Sequence, residues 1–559
     1  MESGIDYDLV PGTNHLVDLD GSMAHSSHAR GNKKEIVLIP TPSDDPDDPL
    51  NWSPYRKYLS VFCMVVYVYG VGVPSAAVYS VLTPISSKTG IAVADLNQGT
   101  GYMFLFFGLG CCIFQPLALQ FGKRPIYLFS MLATTLIILW GPKAKDNGEY
   151  IGGKILQGLL GAPIESLCEI TISDVFFEHE RGTWMGVYAV ALLTSNFMAP
   201  MVAGFIADGQ SWEWVLYWCS IFSGVCFIIL FFFMEETNFH RVVVIDDSSS
   251  VEKVDLIVSG NKKNSTAEVG THIEPILSAN ENLNNEVEVI FSKPEDRIEI
   301  QHQPKTFSQK LSLIYHYEGF LLPYYLLEPF LTTCFPSVLW SGFLYGTSLM
   351  IFNVLNATSS TILSSPPYNF SSSMCGLAYI SPVIFSFLFY FVSGYLADYF
   401  KITLAKRRNG ISYAEDRLWV AVVYMMVVPG ALILWGVGAY HQIHWFGLVF
   451  GMGCVGGTTI LGCSAAVTYV VDSYKEVGAS AMVVVIVIRN LISFAIGYGI
   501  TPWVDNTGYQ NTFIALCFIS LAVISTFYLM VLFGPTFRDK TKRRYWKLVE
   551  HKRKIGAVH

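Results

Sequence analysis

The chain has 559 residues, of which 52% are hydrophobic and only 14% charged. Its mean hydropathy is +0.42. Soluble proteins carry about 25% charged residues, so a soluble fold of this length is excluded, and the formal charge of −8 excludes a basic nucleic-acid binder.

The first 55 residues hold 3 basic and 10 acidic side chains and are rich in Asp, Ser, Pro and Gly. They carry no cleavable signal peptide and are expected to form a flexible cytosolic N-terminal tail. Apolar runs long enough to cross a bilayer, about 20 residues each, then fall near 57–81, 98–119, 125–141, 150–176, 183–207 and 213–234. Residues 236–320 follow with 8 basic and 14 acidic side chains, much Ser and Asn and few aromatics. Such a composition cannot bury enough apolar surface to fold alone, so a disordered cytosolic loop is expected. Residues 321–335, with Pro323, Glu328 and Pro329, read as an interfacial lead-in helix, with Glu328 at headgroup level. Six more runs lie near 336–357, 375–399, 418–439, 445–471, 479–503 and 511–533, before a tail at 536–559 whose Lys and Arg make it strongly basic.

The expected fold is therefore an all-α membrane protein of twelve transmembrane helices in two pseudo-symmetric six-helix halves, 56–235 and 321–535. Lys and Arg bias orients them. A cytosolic N-terminus puts Arg56, Lys57, Lys123, Arg124, Arg181, Lys401, Lys406, Arg407, Arg408, Arg417, Lys475 and the basic tail inside, leaving only Lys88, Lys143 and Lys145 outside. Both termini are then cytosolic, and the glycosylation sequons at Asn356 and Asn369 fall outside. All eleven cysteines lie in or beside apolar runs with no regular spacing, which argues against a disulfide framework or a metal site.

Intramembrane charges are costly and mark functional candidates. Run four carries Lys154, Gly158, Gly161, Glu165 and Glu169. At 100° per residue, Glu165 falls about 20° and Glu169 about 60° from Lys154, on one stripe of one helix. Eleven residues separate Lys154 from Glu165 by roughly 16 Å along the axis, so the two cannot neutralise each other and each needs another partner. Glu165 and Glu169 are candidates for binding a cation and a proton; the alternative is that each is locked by a cation of a neighbouring helix. Arg489 and Asn490 sit within run eleven, as a structural pair or a substrate or coupling element. Tyr67 and Tyr79 in run one, and Trp340, Tyr345 and Asn353 in run seven, are candidates for holding a cation against aromatic faces, with ordinary packing as the alternative.

Two six-span blocks around a polar linker follow a common transporter plan, and several motifs carry a closer resemblance. The connection after run two keeps Leu117, Ala118, Gly122, Lys123 and Arg124 but has Gln115 and Leu119; its counterpart after run eight keeps Gly394, Leu396, Ala397 and Asp398. Both resemble the G-x-L-A-D-R-x-G-R-R signature of the major facilitator superfamily. Lys154, Gln157 and Gly158 resemble its R-x-x-Q-G motif, and the stretch around Pro200 resembles the G-P-x-x-G-G pattern of drug:proton antiporters. D-P-L-N-W-S at Asp48–Ser53, S-D-V-F-F at Ser173–Phe177 and P-P-Y-N-F-S at Pro366–Ser371 are similar to the fungal twelve-span drug:proton antiporter branch, which includes multidrug exporters and the yeast histidinol and polyamine carrier.

This resemblance implies coupling or gating roles for Gly122, Lys123, Arg124, Asp398, Lys154, Gln157, Gly158 and Pro200. It also implies a plasma-membrane, proton-coupled transporter of small organic, cationic or amphipathic molecules. Multidrug efflux by proton antiport is the first expectation, with polyamine uptake or a non-transporting nutrient receptor as alternatives. Its expected partners are substrate, protons and lipid. A monomer with no enzyme activity, metal or cofactor beyond the proton gradient is expected.

Overall fold

In the computed structural model, residues 7–15, 45, 47–144, 146–239, 311, 320–408 and 411–555 are described. Six helices of the first half are long and apolar enough to cross a membrane: Pro54–Ser80, Val93–Phe121, Lys123–Lys143, Asn147–Val175, Thr183–Gly209 and Trp212–Phe233. These are spans one to six. Spans seven to ten are Pro336–Ser364, Ser372–Lys401, Ala414–Tyr440 and Trp445–Ser473. The last apolar stretch, Lys475–Lys554, has 80 residues, about 120 Å of helix, far more than one crossing of roughly 30 Å needs. It breaks at Gly508, whose φ of 76° is left-handed and suits glycine. The break separates span eleven from span twelve, and the expected twelve result among the described residues.

Burial shows the repeat. Spans one, four, seven and ten have 72–78% of their most apolar window buried, whereas spans three, six and eight have 33%. The four buried spans are the first and fourth of each half, so equivalent helices line the centre. The outward faces carry Leu132, Leu136, Ile221, Ile228, Phe387 and Phe391, all exposed, as lipid-facing surfaces require.

The halves meet along two seams. Span two lies on span eleven at glycines: a Cβ on Gly497 would sit 2.8 Å from the Gly101 Cα. Hydrogen bonds fasten this seam at both ends, Asn97 Nδ2 to Thr501 Oγ1 at 3.1 Å and Gln115 Nε2 to the Ala479 carbonyl at 3.2 Å. Span five lies on span eight in the same way, with Gly376 against the Pro200 and Met201 carbonyls. Small residues allow this approach where apolar association alone supplies little drive.

Several expectations change. Residues 7–15 are not a free tail: Thr13–His15 pairs antiparallel with Ile411–Tyr413. Trp546 Nε1 donates to the Leu9 carbonyl at 2.9 Å, and Arg538 donates to the Pro11 carbonyl. The basic tail is helical through Lys554 and lies against the second half. Its Arg538, 0% exposed, donates to Glu415 at 2.9 and 2.5 Å. Glu328 is not at headgroup level; it is 1% exposed and paired with Lys552 at 3.1 Å. A buried carboxylate needs such a cation, and helix Phe527–Lys554 provides it. Most of the expected loop 236–320 lies outside the described residues.

Asn356 is the other correction. Span seven runs to Ser364, seven residues past its expected end, and Asn356 sits inside it, 0% exposed, accepting from the Tyr379 hydroxyl at 3.0 Å. The polar run Asn356–Thr361 stays helical because its hydroxyls bond back to the preceding turn, as Thr358 does to the Val354 carbonyl at 2.9 Å. A sequon there is out of reach of a glycosyltransferase. Asn369 instead lies exposed in the connection after span seven, with φ of 47°.

Candidate functional site

Span four is not one straight helix. It consists of Asn147–Gly161 and Pro163–Val175, because Pro163 has no N–H to continue the ladder. Neighbouring helices donate to carbonyls around the break: Ser130 Oγ to Leu160 at 2.5 Å, Cys111 Sγ to Ala162 at 3.4 Å and Tyr188 OH to Ile164 at 2.9 Å. The stripe expected from continuous rotation is therefore interrupted. Lys154 belongs to the first segment, and Glu165 stands in the first turn of the second, where the helix dipole favours a carboxylate.

Glu165, 7% exposed, forms an ion pair with Arg489, 3% exposed. Its other oxygen accepts from Asn490 Nδ2 at 2.6 Å. The Arg489 guanidinium also lies 4.6 Å over the Tyr345 ring. Span four of the first half is thus joined to spans seven and eleven of the second at the middle of the molecule. Glu169, one turn beyond Glu165, is half-buried, and among the described residues no cation pairs with its carboxylate. It stands within electrostatic reach of Arg489 and Glu165.

The remaining candidates divide. Lys154 is buried, donates to Gln157 Oε1 at 3.1 Å and lines a separate pocket with Pro74, Tyr150, Gln157 and Trp212. Gly158 lies against the Met103 backbone, packing span four onto span two. Tyr67 is not with the central group: its hydroxyl shares a hydrogen bond with Ser130 at 2.7 Å, and its ring stands edge-on to Tyr127 inside the first half. Trp340 donates to Thr526 at 2.8 Å and meets Tyr469 edge-on, also away from Glu165. Tyr79 is buried in the turn Ala77–Ser80 at the end of span one. Asn353 is buried with neither amide atom partnered among the described residues. Tyr188, on span five, was not among the residues expected from the intramembrane charges. A tyrosine hydroxyl in an apolar helix needs a partner, and that requirement is the signal that points to it.

At the face carrying both termini, the signature loops hold helix ends together. Gly122 turns with φ of 106°, and Glu236 accepts from the Lys123 and Arg124 backbone N–H groups at 3.1 and 3.0 Å. Lys123 pairs with Asp174 at the end of span four. Arg124 donates to the Met234 and Phe231 carbonyls, each at 2.8 Å. The second half repeats this: Asp472, at the equivalent end of span ten, pairs with Lys401 and Arg417, each at 3.4 Å. Asp398 lies in helix Ile380–Arg407, and its side chain is outside the described residues. The D-P-L-N-W-S and S-D-V-F-F motifs meet nearby: Trp52 stacks under Arg56 at 4.5 Å, and Lys57 lies 5.0 Å over Phe177.

The Major Facilitator Superfamily model matches residues 60–496. The chain belongs to this superfamily. As a major facilitator it is a multi-pass membrane transporter of small molecules rather than an enzyme. It is 30% identical to an uncharacterized MFS-type transporter of Schizosaccharomyces pombe, over 98% of this chain and 95% of that one. It is 26% identical to protein HOL1 of Saccharomyces cerevisiae, over 97% of both chains. Among solved structures, the xylose transporter XylE from E. coli, in a partially occluded inward-open conformation, aligns with a TM-score of 0.56 at 10% identity, covering 85% of this chain and 97% of that one. The human organic anion transporter MFSD10 aligns with a TM-score of 0.51 at 13% identity, over 85% and 100%. Both likenesses establish the fold alone.

Proposed function

We propose that this major facilitator is a proton-coupled carrier of small organic cations in the plasma membrane, with both termini in the cytosol, exporting its substrate by proton antiport. The observation that carries this reading is Glu169, an intramembrane carboxylate with no cation partner among the described residues, one turn from a carboxylate that has one. Glu165 is neutralised by Arg489 and links the halves. Glu169 is available to bind a cation or a proton, and not both, since protonation removes the charge that holds the cation. Exchange of one for the other at a single carboxylate gives antiport. Lys and Arg bias supports the orientation.

Purified protein in liposomes with an imposed pH gradient tests the reading. Organic-cation accumulation that follows the gradient and stops when a protonophore dissipates it is expected. Gradient-independent flux would overturn the coupling. Growth of a deletion strain on toxic cations decides direction: sensitivity on loss supports export, and resistance supports uptake.

A further inference from the structure

The surroundings of the Arg489 guanidinium have the composition of a binding seat for an organic cation. Glu165 supplies the countercharge, Tyr345 supplies an aromatic face at 4.6 Å, and the group is withdrawn from solvent. A countercharge and an aromatic face in a dry site are what recognise an organic cation. Yet Arg489 fills this seat incompletely. Its Nη2 is the atom paired with Glu165, but its Nε makes no hydrogen bond among the described residues, and the buried Oδ1 of adjacent Asn490 also lacks a donor. A permanent structural arginine satisfies its donors, because unsatisfied buried polar groups are costly. The seat is also built from both halves, Glu165 from the first and Tyr345 and Arg489 from the second, so separating the halves dismantles it.

We propose that Arg489 is a tethered stand-in for the transported cation: it occupies the seat formed by Glu165 and Tyr345 when the carrier is empty, and a planar, delocalised cation of the guanidinium or amidinium class displaces it. This rests on the cation-carrier reading above and narrows its substrate class: Glu165 and Tyr345 seat the cation, and Glu169, one turn away, is the carboxylate at which cation and proton exclude each other. Planarity matters because a flat guanidinium can lie on the ring and face the carboxylate edge-on, whereas a compact ammonium cannot do both in the same geometry. The tethered cation also keeps the empty carrier from burying an unpaired Glu165, which would otherwise oppose closure of the halves around it.

The test is binding of methylguanidine to the purified full-length protein, read by thermal unfolding, in Arg489→Ala and Arg489→Gln, with methylammonium as the comparison. The vacated seat is expected to bind methylguanidine saturably, at concentrations at least tenfold below any effect on wild type, with methylammonium weaker. Adding Glu165→Gln to Arg489→Ala should abolish this binding. No tighter binding in either neutral variant than in wild type, or equal binding of the two cations, overturns the proposal. If neither variant folds, inhibition of wild-type flux decides it: stronger inhibition by methylguanidine supports the proposal, and equal inhibition overturns it. The binding readout needs no flux. Absent wild-type cation transport would therefore defeat the carrier reading, whereas intact transport with no binding in the vacated seat would defeat only the stand-in.

Discussion

A double-mutant cycle on Glu165 and Arg489 measures whether the two halves are joined through this pair. Glu165→Gln strands a guanidinium that is 3% exposed. Removing one partner of a buried pair costs about 3–5 kcal/mol, and the low end, about 3 kcal/mol, applies because the Tyr345 face still attracts the cation. Arg489→Gln should cost less, about 2 kcal/mol, because the stranded Glu165 can take up a proton whereas a guanidinium cannot lose one. With both replaced, two amides remain beside Asn490, no charge is stranded, and the cost should stay near 2 kcal/mol, leaving a coupling of about 3 kcal/mol. Reversible unfolding in mixed detergent–SDS micelles, followed by tryptophan fluorescence, reads all four proteins. Additive single costs, within about 0.5 kcal/mol, would refute the cross-half pair. A larger loss for Arg489→Gln than for Glu165→Gln would refute the argument from protonation.

Arg538→Ala should cost about 3–5 kcal/mol, since it leaves Glu415 buried without its cation, and should open residues 7–15 to limited proteolysis, read by mass spectrometry. Gly376→Val drives a side chain into the Pro200 carbonyl, 2.7 Å from a Cβ at that position; overpacking of about 1–3 kcal/mol should lower the unfolding midpoint and slow flux together. Expressed in a glycosylating host, wild type should shift on a gel after glycosidase treatment. Asn369→Gln should remove that shift, and Asn356→Gln should leave it intact.

The spans were legible because a bilayer imposes one requirement, about 20 apolar residues, that hydropathy reads directly. The separation of Lys154 from Glu165 was legible because helix rise is a fixed length. The need of Arg489 for a partner followed from the cost of an intramembrane charge. Its identity did not, since Glu165 lies 324 positions away in sequence and pairing depends on how the halves dock. For the same reason nothing in the sequence separated Glu165, which is paired, from Glu169, which has no cation partner among the described residues. Asn356 and Glu328 were misplaced for a related cause. Local polarity marked both as peripheral, but Tyr379 and Lys552, brought by other elements, satisfy them in the interior. The ordering of residues 7–15 was equally hidden, because their partners, Arg538, Trp546 and strand Ile411–Tyr413, lie some 400 or more residues further along the chain.

The central claim is that Glu169 exchanges a cation for a proton. Its most direct test is proton movement into liposomes driven by an outwardly directed organic-cation gradient, followed with an entrapped pH dye, for wild type and Glu169→Gln. The account predicts cation-driven acidification of the lumen in wild type, and none in Glu169→Gln, which should remain folded by size-exclusion chromatography. Wild-type proton movement retained in Glu169→Gln would contradict it.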